Sequence, residues 1–516
     1  MAAPDAIAAT CAAAGIARVY TVPGDLTYPL LRALAAAGLT VISCRTQTGA
    51  VFAAEADSFA VGRLESVVLV SRGPALALAL AAFHSAIRNG APMLLLSLVE
   101  TNEDTARGAF QGAETALVPA SCRRLRLAVA GSLVDDLGAA LANAVGPSRV
   151  PAIVELERPL LGAMLLGAAT APAPLPPVAP ASAEEDWAAP AAAALAAAER
   201  PVVVVGHEAR WSVDITDIAR LARRLGAPLC PTGLSIGFGG AEVPQVPHDR
   251  VHATLASADA VVLLGAQFDW SLRFGAAIPA SATVVALTPT SGPPAAARSP
   301  DHACLGPIGA SLDLLLRHLP TNRPDRADPA PRRDDLARPA PALLDQVLGS
   351  LAGRLAPSTA LVLDGSSQLI HAGRNLIPAG AWSRITPGVY GHLGAGLGHA
   401  IGALASRRFT SAVVIAGDFS LGLGLADLET LVRYRFPVCV VVANNFGMGS
   451  ESGQLGGTDT RIAGYARTTD HAAIMRGFGG TGHRVCHFAE WEAIAPQALA
   501  ADHPCLVDVV TGGRDT

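Results

Sequence analysis

Apolar residues in this chain gather in short runs separated by longer alanine- and leucine-rich stretches. The runs are Val19–Val22, Val67–Ser71, Met93–Leu98, Ile153–Leu156, Val202–Val205, Ala260–Leu264, Val284–Ala286, Ala360–Leu363, Ala412–Ala416, Val438–Ala443 and Cys505–Val510. Runs this short and continuously apolar predict strands buried on both faces, and the stretches between them predict covering helices. The expected class is α/β, with parallel sheets covered by helices. Two segments break the alternation. Residues 168–182 are an Ala/Pro tract, and residues 319–341 mix Pro, Arg and Asp. Both predict surface linkers. They divide the chain into three domains, 1–167, 185–318 and 342–516.

Length agrees, since 516 residues predict roughly three domains of about 150 residues each. Half of the residues are apolar, and the net charge is only −5. With no basic run, nucleic acid is excluded as an expected partner. All 38 basic residues are arginine, which with the high alanine content reflects coding bias. The eight cysteines form no CxxC pair, so neither a zinc site nor a thioredoxin-like motif is expected. Their scatter fits buried thiols in a reducing compartment. Residues 5–16 predict an amphipathic first helix, with no basic stretch before it to make a signal peptide. Runs such as Pro201–Gly206 are too short to span a bilayer. The expectation is a soluble cytoplasmic protein with no membrane partner.

Candidate chemistry is densest in the last third. Val413–Ala416 ends in Gly417-Asp418, and 24 residues, 420–443, separate Gly417-Asp418-Phe419 from Asn444-Asn445. Both motifs fall at the carboxyl ends of predicted strands, where open α/β sheets bind ligands. There a carboxylate and an amide oxygen form a hard donor pair. That pair suits Mg²⁺, which takes phosphate oxygens as further ligands.

The spacing resembles the diphosphate-binding signature of thiamine-diphosphate enzymes. That resemblance implies Asp418, Asn445 and the carbonyl of Gly447 as magnesium ligands. It also places Gly417, Asp418, Phe419 and Asn445 against the cofactor. Phe419 stands where the family usually has glycine. Upstream, Gly391-His392-Leu393-Gly394 is similar to a family segment whose bulky apolar residue wedges the cofactor's two rings into a bent shape. Leu393 is that residue by resemblance. His392 beside it is either a proton shuttle or a structural histidine. Asp364-Gly365-Ser366-Ser367 is a weaker diphosphate candidate, with Gly365 and Ser366 as contacts.

The first third matches the family's pyrimidine-binding domain. Val22-Pro23-Gly24-Asp25 follows the first strand, Ser71-Arg72-Gly73-Pro74-Ala75 resembles T-S-G-P-G, and Gly108-Ala109-Phe110-Gln111 resembles G-x-F-Q. Gly24 and Gln111 are thereby candidate cofactor contacts. Cys44-Arg45-Thr46-Gln47 aligns with a strand ending in Arg-His-Glu, so Gln47 takes the place of the glutamate. In the family that acid bonds the pyrimidine and drives proton loss from the thiazolium carbon. Glutamine donates a hydrogen bond but supplies no proton. Glu55, two helical turns on, is the other acid to consider, though it matches an acidic position that the family carries before the helix end.

Residues 200–290 resemble the family's central domain, which holds FAD or ADP in some members. No complete GxGxxG is present. The Leu264–Gly275 string resembles oxalyl-CoA decarboxylases and 2-hydroxyacyl-CoA lyases, and the whole chain resembles acetolactate synthase large subunits. The resemblance implies pyrimidine-binding, central and diphosphate-binding domains in that order. It also implies thiamine diphosphate and Mg²⁺ as cofactors, small-molecule carbonyl substrates, and a homodimer or homotetramer. The expected activity makes or breaks a carbon–carbon bond next to a carbonyl. The alternatives are a non-catalytic cofactor-binding homologue and a FAD-containing oxidase relative.

Overall fold

The structure is a computed structural model. It describes residues 1–112, 122–145, 151–165, 186–240, 242–289, 298–321, 342–365, 380–448, 460–500 and 502–511, with isolated positions 118, 149, 369, 376 and 378. Most of both expected linkers, and Ser366, lie outside the described residues.

Three parallel sheets follow one another along the chain. The first holds β1 (Arg18–Thr21), β2 (Thr40–Ser43), β3 (Ser66–Val70), β4 (Leu94–Val99), β5 (Arg123–Leu127) and β6 (Ala152–Glu157). The second holds β7 (Pro201–Val205), β8 (Leu229–Pro231), β9 (Ala260–Leu264), β10 (Thr283–Thr288) and β11 (His302–Leu305). The third holds β12 (Thr359–Asp364), β13 (Arg384–Ile385), β14 (Ser411–Gly417), β15 (Val438–Asn444), β16 (Thr481–Val485) and β17 (Cys505–Val510). The strand orders are β2-β1-β3-β4-β6-β5, β11-β10-β9-β7-β8 and β13-β12-β14-β15-β17-β16.

The apolar runs of the sequence are the interior strands of these sheets, without exception. The pattern missed every edge strand: β2, β5, β8, β11, β13 and β16. An edge strand has one covered neighbour instead of two and needs no unbroken apolar run. In β5 the sequence is Arg-Arg-Leu-Arg-Leu and its first two residues are exposed. Only the family resemblance pointed to β2.

The first and third sheets share one core. The helix Gln47–Val61 packs along the helix Gly396–Ala405, so Phe52, Ala53 and Phe59 join Leu397, Ile401 and Val414 in a single buried cluster. Close approach needs residues without side chains: a Cβ at Gly398 would lie 2.7 Å from that of Phe52, and one at Gly402 would overlap the carbonyl of Ala53. The second sheet keeps its own cores and is tied in by Arg210. The Arg210 guanidinium lies over the rings of Phe59 (5.4 Å) and Trp382 (4.9 Å). Burial pulls its pKa down to about 9.

Candidate active site

β14 and β15 pair directly, Gly417 opposite Ala443, so the two polar motifs emerge side by side at one sheet edge. The Asp418 carboxylate is buried. Its Oδ1 accepts the Phe419 N–H at 2.7 Å and its Oδ2 accepts the Gly447 N–H at 2.9 Å. Burial holds this carboxyl above the usual carboxylate range, and those backbone donors offset that only in part. Gly447 adopts φ +148°, a conformation that favours glycine, and a Cβ there would overlap the carbonyl of Ala463. Asn445 lies exposed just past β15, beside this turn. The two strand ends thus carry a carboxylate, a side-chain amide and backbone carbonyls, oxygen donors of the kind Mg²⁺ takes.

The first asparagine of the pair has a different task. Asn444 is fully buried, and its amide donates to Asp508 at 2.9 Å. Its Oδ1 accepts the Phe446 N–H at 3.2 Å. The carboxylate of Asp508 also meets His471. Asn444 thus shapes the turn from behind. The ring of Phe419 stacks on Tyr465 at 6.5 Å, giving the site a half-exposed aromatic flank.

Gly365 follows β12, which pairs with β14. The adjacent Asp364 is buried and turns to the Leu393 segment, accepting N–H bonds from Gly394 (3.2 Å) and Gly396 (2.7 Å). Leu393 is half-buried. His392 contacts the Leu393 carbonyl oxygen through Nδ1 at 2.7 Å, and its ring meets the edge of Phe52 at 5.1 Å.

At the first sheet, Gly24 abuts Ser71, and Gly73 abuts Gln111, across the carboxyl ends of β1 and β3. Gln47 opens the helix Gln47–Val61 just past β2, with Thr46 as its cap accepting the Gly49 N–H at 2.9 Å. The side chains of Gln47 and Gln111 have no hydrogen-bond partner among the described residues. Glu55 is placed differently. It is fully buried between Asn89 (2.9 Å) and His399 (3.2 Å), inside the joint between the two domains. Sequence reasoning missed Asp427, which sits on the helix Asp427–Arg433. Its carboxylate accepts the Arg45 N–H at 2.7 Å and the Thr46 hydroxyl at 2.6 Å. It thereby anchors the turn that carries Gln47 from 382 residues away.

The crevice of the second sheet, between β7 and β9, offers Glu208, whose carboxylate faces Gln267 and Thr288 at 3.4 Å. A pyrophosphate takes a row of N–H donors. This buried acid is not such a donor, so it would not hold the pyrophosphate of FAD or ADP.

The comparisons agree with this layout. Residues 1–116 match the family pattern for the thiamine pyrophosphate enzyme N-terminal TPP binding domain. Residues 188–315 match the central domain, and residues 365–509 match the C-terminal TPP binding domain. Human 2-hydroxyacyl-CoA lyase 2 is 27% identical, covering 99% of this chain and 90% of the relative. The Mycobacterium tuberculosis acetolactate synthase large subunit is 25% identical, covering 98% of this chain and 95% of the relative. In fold, the chain is similar to the thiamine diphosphate-dependent 4-hydroxybenzoylformate decarboxylase of Rhodococcus jostii, with TM-score 0.84, 19% identity and full coverage of both chains. With all three domains matched in order and relatives spanning nearly its whole length, the chain belongs to the thiamine-diphosphate-dependent enzymes, among the decarboxylases, lyases and carboligases that act on carbon–carbon bonds.

Proposed function

We propose that this enzyme is a Mg²⁺-dependent carboligase or decarboxylase working on a 2-oxo acid or acyl donor. The observation that carries the reading is the pairing of Asp418 with the Asn444–Gly447 turn at adjacent strand ends. Asp418, Asn445 and the carbonyl of Gly447 would hold the metal, with Gly365 and Gly417 at the diphosphate. Thiamine diphosphate, when bound, supplies an electron sink for the bond next to a carbonyl. Leu393 orients the rings. Gln47 would offer its amide to the pyrimidine and cannot act as an acid or base there. His392, half-buried beside Leu393, is the candidate for moving a proton at the substrate. The relatives named 2-hydroxyacyl-CoA lyase add acyl-CoA esters to the donors worth testing.

A screen of 2-oxo acids and 2-hydroxyacyl-CoA esters with aldehyde acceptors tests the reading, scoring CO₂, released aldehyde and ligated product. Turnover that needs both thiamine diphosphate and Mg²⁺ is the expected result. Gln47 itself favours one second reading, a cofactor-binding subunit without turnover. Tight cofactor binding with no product from any donor would select that reading.

The side chains of Gln47 and Gln111, without a hydrogen-bond partner among the described residues, are also consistent with a site completed by a second subunit. A homodimer, or a tetramer built from two such dimers, is the expected assembly. An active monomer in light scattering would overturn it.

A further inference from the structure

The segment that carries Leu393 is gripped at both ends, and the two grips come from different domains. On its C-terminal side, Asp364 of the third sheet accepts the N–H groups of Gly394 and Gly396. On its N-terminal side the partner is Asn89, which follows the helix Pro74–Arg88 of the first domain and is fully buried. Asn89 Oδ1 accepts the Val389 N–H at 2.9 Å, and Nδ2 donates to the Pro387 carbonyl at 3.2 Å. Between those two bonds Gly388 adopts φ +69°, and a Cβ there would overlap the Asn89 amide. One residue further on, the Tyr390 ring stacks on His84 of the same helix at 6.2 Å.

The Asn89 amide is itself fixed. Nδ2 also donates to Glu55 Oε1 at 2.9 Å, and Glu55 Oε2 meets His399 Nε2 at 3.2 Å on the helix Gly396–Ala405. Glu55, Asn89 and His399 are all fully buried. Only Gly391, His392 and Leu393 lie between the two grips.

We propose that Asn89, oriented by Glu55 and His399, is a positioning residue for Leu393. Through it the first domain sets the height and tilt of the wedge in the third domain of the same chain. A freed segment shifts Leu393 while leaving the metal turn at Asp418 and Gly447 intact. The expected signature is a cofactor that still binds but is held in the wrong shape.

This inference rests on the reading of Leu393 as the wedge, and the test separates the two. Asn89→Ala, Leu393→Ala and wild type are compared by three measurements: calorimetry of Mg²⁺ and thiamine diphosphate binding, near-ultraviolet circular dichroism of the bound cofactor, and deuterium exchange at its thiazolium carbon. Both variants should bind the cofactor within about tenfold of wild type. Both should alter the dichroism and slow the exchange by roughly 10²-fold, the usual cost of a misplacement near 1 Å. If Leu393→Ala changes dichroism and exchange but Asn89→Ala does not, the role of Asn89 is overturned. If Leu393→Ala changes neither, the wedge reading fails and the inference falls with it. Asn89→Ser, which keeps a shorter donor and acceptor, replaces the alanine variant if that one does not fold.

Discussion

The first and third sheets have the same strand order, each with its second strand on the outside and its first strand beside its third. Each therefore opens a crevice at the same place, between β1 and β3 or between β12 and β14. What fills the two crevices differs. The third sheet puts buried carboxylates there, Asp364 and Asp418, and satisfies them with backbone N–H groups. The first sheet puts Gly24, Ser71 and Gly73 there, and gives the amides of Gln111 and Gln47 no hydrogen-bond partner among the described residues. One edge suits a cation and a diphosphate; the other suits a neutral ring with hydrogen-bonding edges. Identical topology thus fixes where a site forms, and the residues at the strand ends decide what it takes.

Breaking the charged edge should have the largest effect. Asp418→Ala removes the carboxylate proposed to hold the cation against the diphosphate. Calorimetry should show Mg²⁺-dependent cofactor affinity falling by more than the 10–100-fold typical of losing an outer hydrogen bond at a metal site. Circular dichroism should show the fold retained. Unchanged affinity would move the metal elsewhere.

The neutral edge is sharpened by giving it an acid. Gln47→Glu restores an ionisable group of nearly the same size. It should accelerate deuterium exchange at the thiazolium carbon of the bound cofactor by roughly 10–10⁴-fold, the span of positioned acid–base groups. Turnover need not rise in step, because the same acid can protonate the carbon that should attack the acceptor. Equal exchange rates would place Gln47 away from the pyrimidine.

The two edges were unequally legible in the sequence. The Gly-Asp and Asn-Asn motifs lie on strands that pair, so their spacing alone encodes the geometry. The same holds for the interior strands, whose double burial leaves an unbroken apolar run. Edge strands and the first domain's altered motifs left no such mark. Least legible were residues whose partners are remote in sequence. Asp427 meets Thr46, and Asn89 meets Val389, across 381 and 300 positions. An isolated Asp or Asn in a helix or turn has no local pattern to announce such a bond. Glu55 shows the converse. It was considered as an acid for catalysis, and its burial between Asn89 and His399 makes it part of the joint.

That joint holds the two edges in one frame. Gly402→Ala drives a methyl group into the backbone at Ala53, which cannot swing aside as a side chain could. Overpacking of this kind costs about 1–3 kcal/mol. The thermal midpoint should drop, while the folded fraction keeps its cofactor affinity. An unchanged midpoint would show that the two helices can separate without loss.

The second sheet provides the control for the comparison, because it too carries a buried acid just past a strand end, but among the described residues no backbone N–H meets its carboxylate. Burial pushes the Glu208 carboxyl up to about 7, and the nearby Arg149 opposes that only in part. An acid whose pKa rises on folding binds its proton more tightly in the folded state. Its contribution to stability is therefore full below about pH 4.5 and is lost as the pH climbs through about 7. Glu208→Gln removes that titration and can keep the contacts with Gln267 and Thr288. The full shift sets a ceiling of roughly 3 kcal/mol. Arg149, itself buried enough for its pKa to be lowered, loses a compensating charge in the variant, so about 1–2 kcal/mol is expected. The variant should be more stable than wild type at pH 8 and no more stable at pH 4.5, measured by denaturant unfolding across that range. A gain that is the same at both pH values would mean that Glu208 does not titrate between them.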